Sequence, residues 1–563
     1  MSSSSSTEPV SSPTAWTRAR TRAVPPERAD VILVGCGLGG LTTGAYLSRL
    51  GYKVACFDQH YVAGGCATAF ARGGSNNRYH FDVGLHYIGD CGPQGPIPSI
   101  LGELGRELEF IPMDQDGFDT LIFPDFTFRV PADRDLYRQR LLDLFPEEKR
   151  GIDRYVRFLT EIDGLVDRMV FPNKVHPLAF LWFTATRGRL GASWSSKTLS
   201  SFLDTCTDNM QLKAVLSGQN GDYGIAPERV AAGLHAGVAN HYFHGAYYPR
   251  GGGQAISDLL AAEIEARGGS IHLRCGIDRI LVEGGRAVGV RTEDGRHGVR
   301  EIRADAVVSN ADLIRTLTEL VGHQHLPSRW SRQLERFEMA EALFITYLGV
   351  TADMKAKGMK ATNYWQFDTY DFDAAYRTAK ESSVIEPTAA YITSASLKEP
   401  DSTHHAPEGV TSLEIMTLVP GQPERWGAEP GRIEGWDYKK NDRYLSTKEA
   451  LEENLIGRLE ALFPGTAESI VFKESATPMT HTRFTRASAG TSYGLANTPS
   501  QFQKNRPGYR GPIDGLYLTG SSTRAGHGIY GVMLGGRTAA MVVNKGLAKK
   551  SLPDALRVPL STD

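Results

Sequence analysis

The chain has 563 residues, of which 41% are hydrophobic and 22% are charged, as in folded globular proteins. This length exceeds one ordinary domain, so we expect two domains or one large composite domain. The formal net charge of −2 excludes a global electrostatic argument for nucleic-acid binding. The six cysteines follow neither a C-x-x-C nor a zinc-ligand spacing, so we expect reduced thiols, no disulfide framework and no metal site.

Residues 1–28 are predicted to form a disordered tail, because they hold a serine run, prolines and scattered arginines. The segment lacks the apolar stretch of a signal peptide, and a targeting role is the alternative. The chain contains no run of about 18 apolar residues, so no segment is predicted to span a membrane. These features predict a cytoplasmic protein, and residues 551–563 are predicted to be a C-terminal tail.

The first predicted elements form a β-turn-α-β unit. The apolar run Val31–Val34 predicts a strand and Leu41–Leu50 predicts a helix, with a glycine-rich turn between them. A second short strand, Lys53–Phe57, ends on Asp58. The turn carries the G-x-G-x-x-G pattern, which in this context is the fingerprint of dinucleotide binding.

Each glycine of this fingerprint is required for a physical reason. Gly35 permits the tight turn, Gly37 lets a pyrophosphate approach the backbone, and Gly40 lets helix and strand pack closely. The helix N-terminus offers N–H groups and a positive dipole end to the phosphates. Asp58 is placed to accept hydrogen bonds from the ribose hydroxyls and to repel a 2′-phosphate, which favours FAD or NAD over NADP. A merely structural glycine turn is the alternative.

Three further stretches carry chemistry-related patterns. Gly64 and Gly65 follow the second strand and predict backbone packed against a bulky group, such as a pyrophosphate or ribityl chain. The second stretch, Phe81–Gly89, reads F-D-V-G-L-H-Y-I-G, and the third, Gly520–Val532, begins where an apolar strand runs into a glycine. Between them, residues 102–229 are predicted to be mostly helical.

The order of these stretches resembles the flavoprotein family of phytoene desaturases, carotenoid isomerases and retinol saturases, over about residues 28–545. Phe81–Gly89 and Asn240–Gly253 resemble the retinol saturase branch in particular. Gly520–Val532 instead resembles the C-terminal flavin motif of bacterial phytoene desaturases. In that motif the family has His, Pro and Pro where this chain has Arg524, Ala525 and Tyr530.

The resemblance implies an α/β fold, with a Rossmann-type FAD-binding domain of the glutathione-reductase-like, amine-oxidase-like kind and an interleaved α+β substrate domain. It implies that three segments build the FAD-binding domain, residues 29–100, 245–318 and 478–550. Two segments, residues 101–244 and 319–477, are predicted to build the substrate domain. Aromatic residues in the second of these are candidates for the wall of a substrate tunnel, with ordinary core packing as the favoured alternative for any one of them; they include Tyr347, Tyr364, Trp365, Phe367 and Tyr370.

The resemblance also assigns candidate site residues. The backbone near Ile277 is expected to meet the adenine, and a glycine-rich helix start near Gly531 is expected to face the flavin ring. The full set of predicted cofactor-binding residues is Gly35, Gly37, Gly39, Gly40, Asp58, Gln59, Gly64, Gly65, Gly84, Leu85, Ile277, Gly520, Gly531 and Val532. The predicted proton donors or acceptors are His86, Tyr87, His527 and Tyr530, with His86 and Tyr87 favoured. A structural hydrogen-bonding role is the alternative for each of them.

The implied activity is FAD-dependent redox chemistry on a carbon–carbon bond of a hydrophobic polyene, a carotenoid or a retinoid, with an unidentified electron donor. Saturation is the favoured direction, and desaturation and cis–trans isomerisation are the alternatives. Two rival hypotheses share the scaffold: an amine-oxidase-like flavoenzyme, and a non-enzymatic prenyl-lipid binder like the Rab GDP-dissociation inhibitors. The intact glycine fingerprint argues against the second rival.

A peripheral contact with a membrane surface is also predicted. The segment Leu178–Phe183 is strongly apolar and is flanked by basic residues on both sides. Such a pattern is typical of segments that enter a bilayer interface. A buried helix of the substrate domain is the alternative.

Overall fold

A computed structural model describes residues 20–74, 77–170, 177–428 and 437–547. The predicted tails therefore lie mainly outside the described residues. Arg20, the first described residue, is buried and donates to Glu265 at 2.8 Å. The described chain thus begins upstream of the predicted boundary at residue 29.

The strands, in chain order, are β1 (Arg28–Val34), β2 (Val54–Asp58), β3 (Ala69–Gly74), β4 (Asn77–Asp82), β5 (Ile88–Gly89), β6 (Phe110–Pro112), β7 (Asp119–Ile122), β8 (Thr127–Val130), β9 (Ala246–Pro249), β10 (Ser270–Leu273), β11 (Ile277–Glu283), β12 (Arg286–Thr292), β13 (Glu301–Ser309), β14 (Ala342–Val350), β15 (Asn363–Phe367), β16 (Ala389–Thr393), β17 (Thr411–Val419), β18 (Ile470–Ala476) and β19 (Leu516–Leu518). The α-helices are Leu38–Arg49, Pro96–Glu103, Arg134–Leu144, Lys149–Val170, Pro177–Thr186, Arg189–Trp194, Leu199–Leu203, Met210–Leu216, Ala232–Phe243, Gly252–Ala266, Leu313–Arg315, Ser328–Leu334, Phe372–Glu381, Ala395–Lys398, Asp442–Leu462, Pro478–Thr485 and Gly528–Gly546. No described helix is both long enough and apolar enough to cross a bilayer.

The first large sheet has the order β10-β2-β1-β13-β12-β11. Strands β10, β2, β1 and β13 run parallel, and β19 pairs in parallel with the end of β13. The carboxyl ends of these strands therefore meet at one edge, where ligands bind in open α/β sheets. Asp58, Asn310 and Gly520 lie at or just beyond three of those strand ends.

The second large sheet has the order β18-β14-β17-β16-β15-β7-β8. Because side chains alternate between the faces of a strand, each strand supplies two different surfaces. On one face Phe344, Ile392 and Ile415 belong to a buried cluster with Leu451 and Leu455. The helix Asp442–Leu462 covers that face, and the other face is free to line a cavity.

The prediction that residues 102–229 are mostly helical is wrong between residues 110 and 130, where β6, β7 and β8 lie. Strand β7 pairs in parallel with β15, more than 200 residues later in the chain, at Asn363↔Asp119. This tertiary pairing overrides the local pattern, because strand preference depends strongly on packing partners. The predicted domain boundaries stay a prediction, since the small sheet β5-β9-β6 joins segments assigned to different domains.

Candidate active site

A cavity of about 1770 Å³ lies between the carboxyl edge of the first sheet and the open face of the second. Of the predicted cofactor-binding residues, the cavity is lined by Gly35, Gly37, Gly39, Asp58, Gln59, Gly64, Gly65, Gly84, Ile277, Gly520, Gly531 and Val532. The chain stretches singled out from sequence therefore meet around one space. We call the part lined by these residues the glycine half.

Gly40 and Leu85 do not line the cavity, contrary to their prediction as cofactor contacts. A Cβ atom at Gly40 would lie 2.3 Å from the carbonyl oxygen of Gly35, so this glycine serves the packing of helix against turn. The Leu85 side chain is 1% exposed and belongs to a core cluster with Ile256 and Leu260. Only its neighbours Gly84 and His86 reach the cavity.

The turn into the helix Leu38–Arg49 has the geometry of a phosphate site. The helix begins after Gly37 with no side-chain cap, and Gly37, Leu38 and Gly39 all line the cavity. Backbone N–H groups of its first turn therefore face the cavity and need an acceptor. This uncapped end fits the pyrophosphate of a dinucleotide.

Asn310 is a site residue that the sequence prediction missed. Its side chain fills the space beside three glycines: a Cβ atom would lie 2.8 Å from Nδ2 at Gly37, and 2.7 Å from Oδ1 at both Gly39 and Gly520. Asn310 follows β13 directly and lines the cavity. Its position directly after a parallel strand, where ligands bind in such sheets, was the sequence feature that could have identified it.

Asp58 ends β2 and is partly buried. Its Oδ2 accepts from the backbone N–H of Cys36 at 2.7 Å, and its Oδ1 accepts from that of His60 at 2.8 Å. Each carboxylate oxygen has two lone pairs, so both can accept a further donor from the cavity. The arrangement fits the ribose hydroxyls of a dinucleotide.

The other part of the cavity, which we call the aromatic half, is lined by alternating residues of the second sheet. They are Leu343, Ile345, Tyr347, Trp365, Phe367, Ala389, Tyr391, Met416 and Leu418. Tyr347, Trp365 and Phe367 were among the aromatic candidates from sequence, whereas Tyr364 packs in the core against Phe463. The strand period of two thus gives the cavity a continuous apolar wall.

His86 lies where the two halves meet. Its Nδ1 atom is 2.7 Å from Oε2 of Glu414, in a contact that is not aligned as a hydrogen bond. Its Nε2 atom is buried and has no hydrogen-bond partner among the described residues. His86 therefore keeps a ring nitrogen available to a bound molecule.

Tyr87 connects the buried carboxyl group of Asp119 with the half-buried carboxyl group of Asp222. Its hydroxyl lies 2.8 Å from Oδ2 of Asp222 and 3.2 Å from Oδ2 of Asp119. Tyr87 and Asp222 line the cavity, while Asp119 lies behind them. Burial raises the pKa of Asp119 to about 6 and raises that of Asp222 well above its usual range. No acid–base constellation was evident from sequence, because these residues come from three distant segments.

His527 lines the cavity, but its ring nitrogens are both engaged. Nδ1 accepts from the side-chain amide of Asn497 at 2.9 Å, so Nε2–H donates to the carbonyl oxygen of Asp222 at 3.2 Å. Burial lowers the pKa of His527 to about 4, and the ring is neutral near pH 7. This geometry favours the structural alternative, in which His527 holds the backbone of Asp222.

Two buried cations stand close to the cavity. Lys398 donates to the carbonyl oxygen of His86 at 2.5 Å and to Oδ1 of Asn363 at 2.7 Å, and burial lowers its pKa to about 7. Arg506 has no carboxylate partner within the described part of the chain and donates to five backbone carbonyls instead, those of Leu495, Ala496, Gln501, Ser521 and Thr523. Neither residue was singled out from sequence.

Comparison with known proteins agrees with this geometry. The model of the family "Flavin containing amine oxidoreductase" matches residues 38–342 and 435–544. The chain is 29% identical over 556 residues to an all-trans-retinol 13,14-reductase from Danio rerio, covering 95% of this chain and 89% of that protein. It is 25% identical over 544 residues to prolycopene isomerase 1 from an Oncidium hybrid, covering 93% and 86%.

The fold also matches solved structures. An oxidoreductase from Methanosarcina mazei superposes with a TM-score of 0.59 at 17% identity, covering 92% of this chain and 99% of that one. The predicted fold class and the predicted class of enzyme, a flavin-dependent oxidoreductase, are thereby confirmed. The chain belongs to the flavin containing amine oxidoreductase family.

Proposed function

We propose that the protein is an FAD-dependent oxidoreductase that reduces one carbon–carbon double bond of a lipophilic conjugated isoprenoid, a retinoid or a carotenoid. The observation that carries the proposal is the continuity of the cavity, which runs from the glycine half into the aromatic half without a wall between them. One half fits a dinucleotide and the other fits a long apolar molecule. A reactive carbon of the apolar molecule is thus brought beside the dinucleotide.

FAD is the proposed flavin because the glycine half fits both ends of a dinucleotide. The uncapped helix end at Gly37 would hold the pyrophosphate, Asp58 would hold a ribose, and Ile277 would meet the adenine. When bound, the flavin supplies hydride transfer to or from carbon. Protein denatured by heat should release a flavin that chromatographs as FAD, whereas release of FMN would contradict this part of the proposal.

The residues of the aromatic half bind and orient the substrate. Trp365 and Tyr391 lie edge to face with ring centroids 4.5 Å apart, and both line the cavity. Such rigid aromatic walls suit a flat, conjugated chain, which loses little by entering an apolar space. His86 and Tyr87 lie next to this wall; His86 offers a ring nitrogen to the bound molecule, whereas the Tyr87 hydroxyl is bound to Asp222 and Asp119.

Reduction is the favoured direction because the relatives named all-trans-retinol 13,14-reductase match nearly the whole chain at 29% identity or slightly less. Cis–trans isomerisation of a polyene is the second candidate, since prolycopene isomerases match at 25% identity over a similar length. Desaturation of a carotenoid is the remaining alternative that the sequence motifs left open.

One experiment separates these reactions. Purified holoenzyme is reduced anaerobically, mixed with a panel of retinoids and carotenoids, and followed by flavin absorbance and product mass. Reduction predicts stoichiometric re-oxidation of the flavin and a product two hydrogens heavier with a shortened chromophore. An unchanged mass with a new geometric isomer would replace the proposal by isomerisation. A lighter product formed only by oxidised enzyme would replace it by desaturation.

We also propose that the helix Pro177–Thr186 contacts a membrane surface from which substrate is drawn. Trp182 on this helix is 59% exposed, and the guanidinium of Arg187 lies 5.7 Å from its ring. The helix ends beside Leu165, whose neighbour Val166 lines the cavity. An exposed Trp beside a basic residue is typical of interfacial segments.

Co-sedimentation with anionic liposomes tests the contact. Trp182→Ser should reduce the bound fraction severalfold, and Val471→Ser, at a site that is 56% exposed on β18, should leave it unchanged. Equal binding by both variants would remove this helix from the proposed contact. Residues 171–176 of the predicted basic-flanked segment lie outside the described residues.

A further inference from the structure

We propose that Asp222 is the catalytic acid of the reduction, and that Tyr87 and Asp119 hold its proton in place. The inference rests on the proposed function and assigns a residue to it that the sequence motifs did not indicate. Asp222 lines the cavity next to the aromatic half. Reducing a double bond needs a hydride on one carbon and a proton on its neighbour, and the proton must come from a group in this water-poor space.

Counting hydrogens shows that this cluster stores a proton. The Tyr87 hydroxyl lies within hydrogen-bond distance of a carboxyl oxygen on each side, at 2.8 Å from Asp222 and 3.2 Å from Asp119. A phenol carries one hydrogen, so it donates to one of these oxygens and must accept from the other. Both contacts are hydrogen bonds only when one of the two carboxyl groups is protonated.

The surrounding donors decide which carboxyl group carries that proton. Asp119 also accepts from Nε2 of Gln219 at 2.7 Å and from Nδ2 of Asn363 at 2.9 Å, and amide donors favour the ionised form. Asp222 is half-buried, has the Asp119 charge beside it, and receives no such amide donor among the described side chains. The proton therefore resides on Asp222, the residue that faces the cavity.

The other titratable groups around the pair do not neutralise Asp222. Four buried tyrosines stand near it, Tyr223, Tyr242, Tyr391 and Tyr493, and burial raises the pKa of each. His527 touches its backbone carbonyl and is neutral. The Lys398 ammonium interacts with Asp119 rather than with Asp222. A protonated Asp222 is thus compatible with every neighbour.

The proton balance of the step is complete. The π bond of the substrate breaks, one new C–H bond takes the hydride of the reduced flavin, and the other takes the proton of Asp222. The substrate gains two electrons and the flavin loses two. Asp222, left as a carboxylate, accepts the Tyr87 hydroxyl hydrogen, and water that refills the cavity after product release restores the missing proton. Asp119 acts through Tyr87 and is a positioning residue.

The decisive variant is Asp222→Asn, which keeps the size of the side chain but removes its acidic proton. Pre-reduced Asp222→Asn should transfer hydride to the polyene about 10²–10⁴-fold more slowly than the parent protein, with unchanged flavin content. Tyr223→Phe is the matched control, because it removes a buried hydroxyl from the neighbouring residue, bonded to His235 at 3.1 Å, outside the cavity lining. It should leave the rate unchanged. An unaltered rate in Asp222→Asn would overturn the inference.

A second readout needs no turnover. Infrared spectra of the substrate-free parent protein at pH 8, where Asp119 with its pKa of about 6 is ionised, should show a protonated carboxylic acid that is missing from Asp222→Asn at the same pH. Absence of that band in the parent overturns the inference, even if no polyene on the panel is reduced and the proposed function fails.

Should Asp222→Asn not fold, Tyr87→Phe tests the same relay, since its ring keeps the stack on Tyr242 at 4.4 Å. It should slow transfer and shift the pH profile, and an unchanged profile overturns the relay. If His86→Gln slowed hydride transfer more than Asp222→Asn does, His86 would be the acid instead.

Discussion

The glycine half and the aromatic half of the cavity are built in opposite ways. In the glycine half most contacts come from short stretches in which a glycine is needed at a fixed position, as at Gly37 and Gly39. In the aromatic half the wall residues come from four paired strands, and neighbours such as Ile345 and Met416 meet only through pairing of β14 with β17. The first half depends on the absence of side chains and the second on their presence. Substitutions should therefore act separately on cofactor retention and on substrate binding.

The largest effect on cofactor retention alone is expected for Gly37→Val. A Cβ atom at this position would already lie 2.8 Å from Nδ2 of Asn310, and a larger side chain would also enter the space proposed for the pyrophosphate. Flavin retention should fall to nearly zero, measured as the ratio of flavin to protein after gel filtration. Gly457→Val is the control, because a Cβ atom there meets nothing within 4 Å. Normal flavin content in Gly37→Val would contradict the placement of the pyrophosphate.

The second prediction concerns the protonation of Asp119, which lies behind the aromatic half. Burial raises the pKa of Asp119 from about 3.8 to about 6, so the folded protein binds a proton there that the unfolded chain has released. Its stabilising effect is complete below about pH 4 and is lost as the pH rises through 6. The free energy of unfolding of the parent protein, relative to Asp119→Asn, should fall by about 3 kcal/mol between pH 4 and 7. Urea titrations across this range measure the difference, and a flat difference would show that Asp119 is ionised with an ordinary pKa.

The third prediction concerns a substitution that weakens cofactor binding in the glycine half without filling the cavity. Asp58→Ala removes the proposed ribose contacts, and hydrogen bonds to a charged group contribute about 1.5–3 kcal/mol each. FAD binding should become about tenfold to a hundredfold weaker, measured by reconstitution of apoprotein. Asp30→Ala is the control, since Asp30 accepts from the Lys53 N–H at 2.7 Å near the other end of the same strands. Equal affinities in the two variants would mean that the ribose lies elsewhere.

The smallest effect is expected in the aromatic half. Ile345→Asn keeps the number of side-chain heavy atoms but places an unpaired amide on the apolar wall, at a cost of about 1–2 kcal/mol to an apolar ligand. Polyene binding should weaken about tenfold while FAD affinity stays the same. Ile345→Val removes one methylene and should change neither by more than a few-fold. Loss of flavin from Ile345→Asn would show that the two halves are coupled rather than separate.

The same contrast explains what the sequence could predict. Gly35, Gly37, Asp58, Gly520 and Gly531 all line the cavity, and the sequence could indicate them because short-range steric needs leave a local pattern. Leu85 is buried in the core although its neighbours Gly84 and His86 line the cavity, and the motif alone does not reveal which residues of Phe81–Gly89 face it. His527 was correctly placed at the cavity, but its engagement by Asn497 and the Asp222 carbonyl depends on segments 30 and 305 residues away.

The acidic cluster and the buried cations left no local pattern. Asp119, Tyr87 and Asp222 are contributed by β7, by the loop before β5 and by the segment after the helix Met210–Leu216. Only the parallel pairing of β7 with β15 brings Asn363 beside Asp119, and a sequence without tertiary contacts does not contain that register. The same pairing explains the one large error in secondary structure. Non-local strand pairing was thus the main information missing from the sequence.

Arg506 has a consequence for the electrostatic potential of this cavity. Its guanidinium is 2% exposed and is bound only by neutral carbonyl groups, so its positive charge is neither screened by water nor cancelled by a described carboxylate. Two of those carbonyls belong to Ser521 and Thr523, on the loop that lines the glycine half. An uncompensated positive charge in a low-dielectric interior acts over several ångströms. The Arg506 charge therefore favours negative charge beside this loop, and the loop that shapes the cavity also contributes to its electrostatic potential.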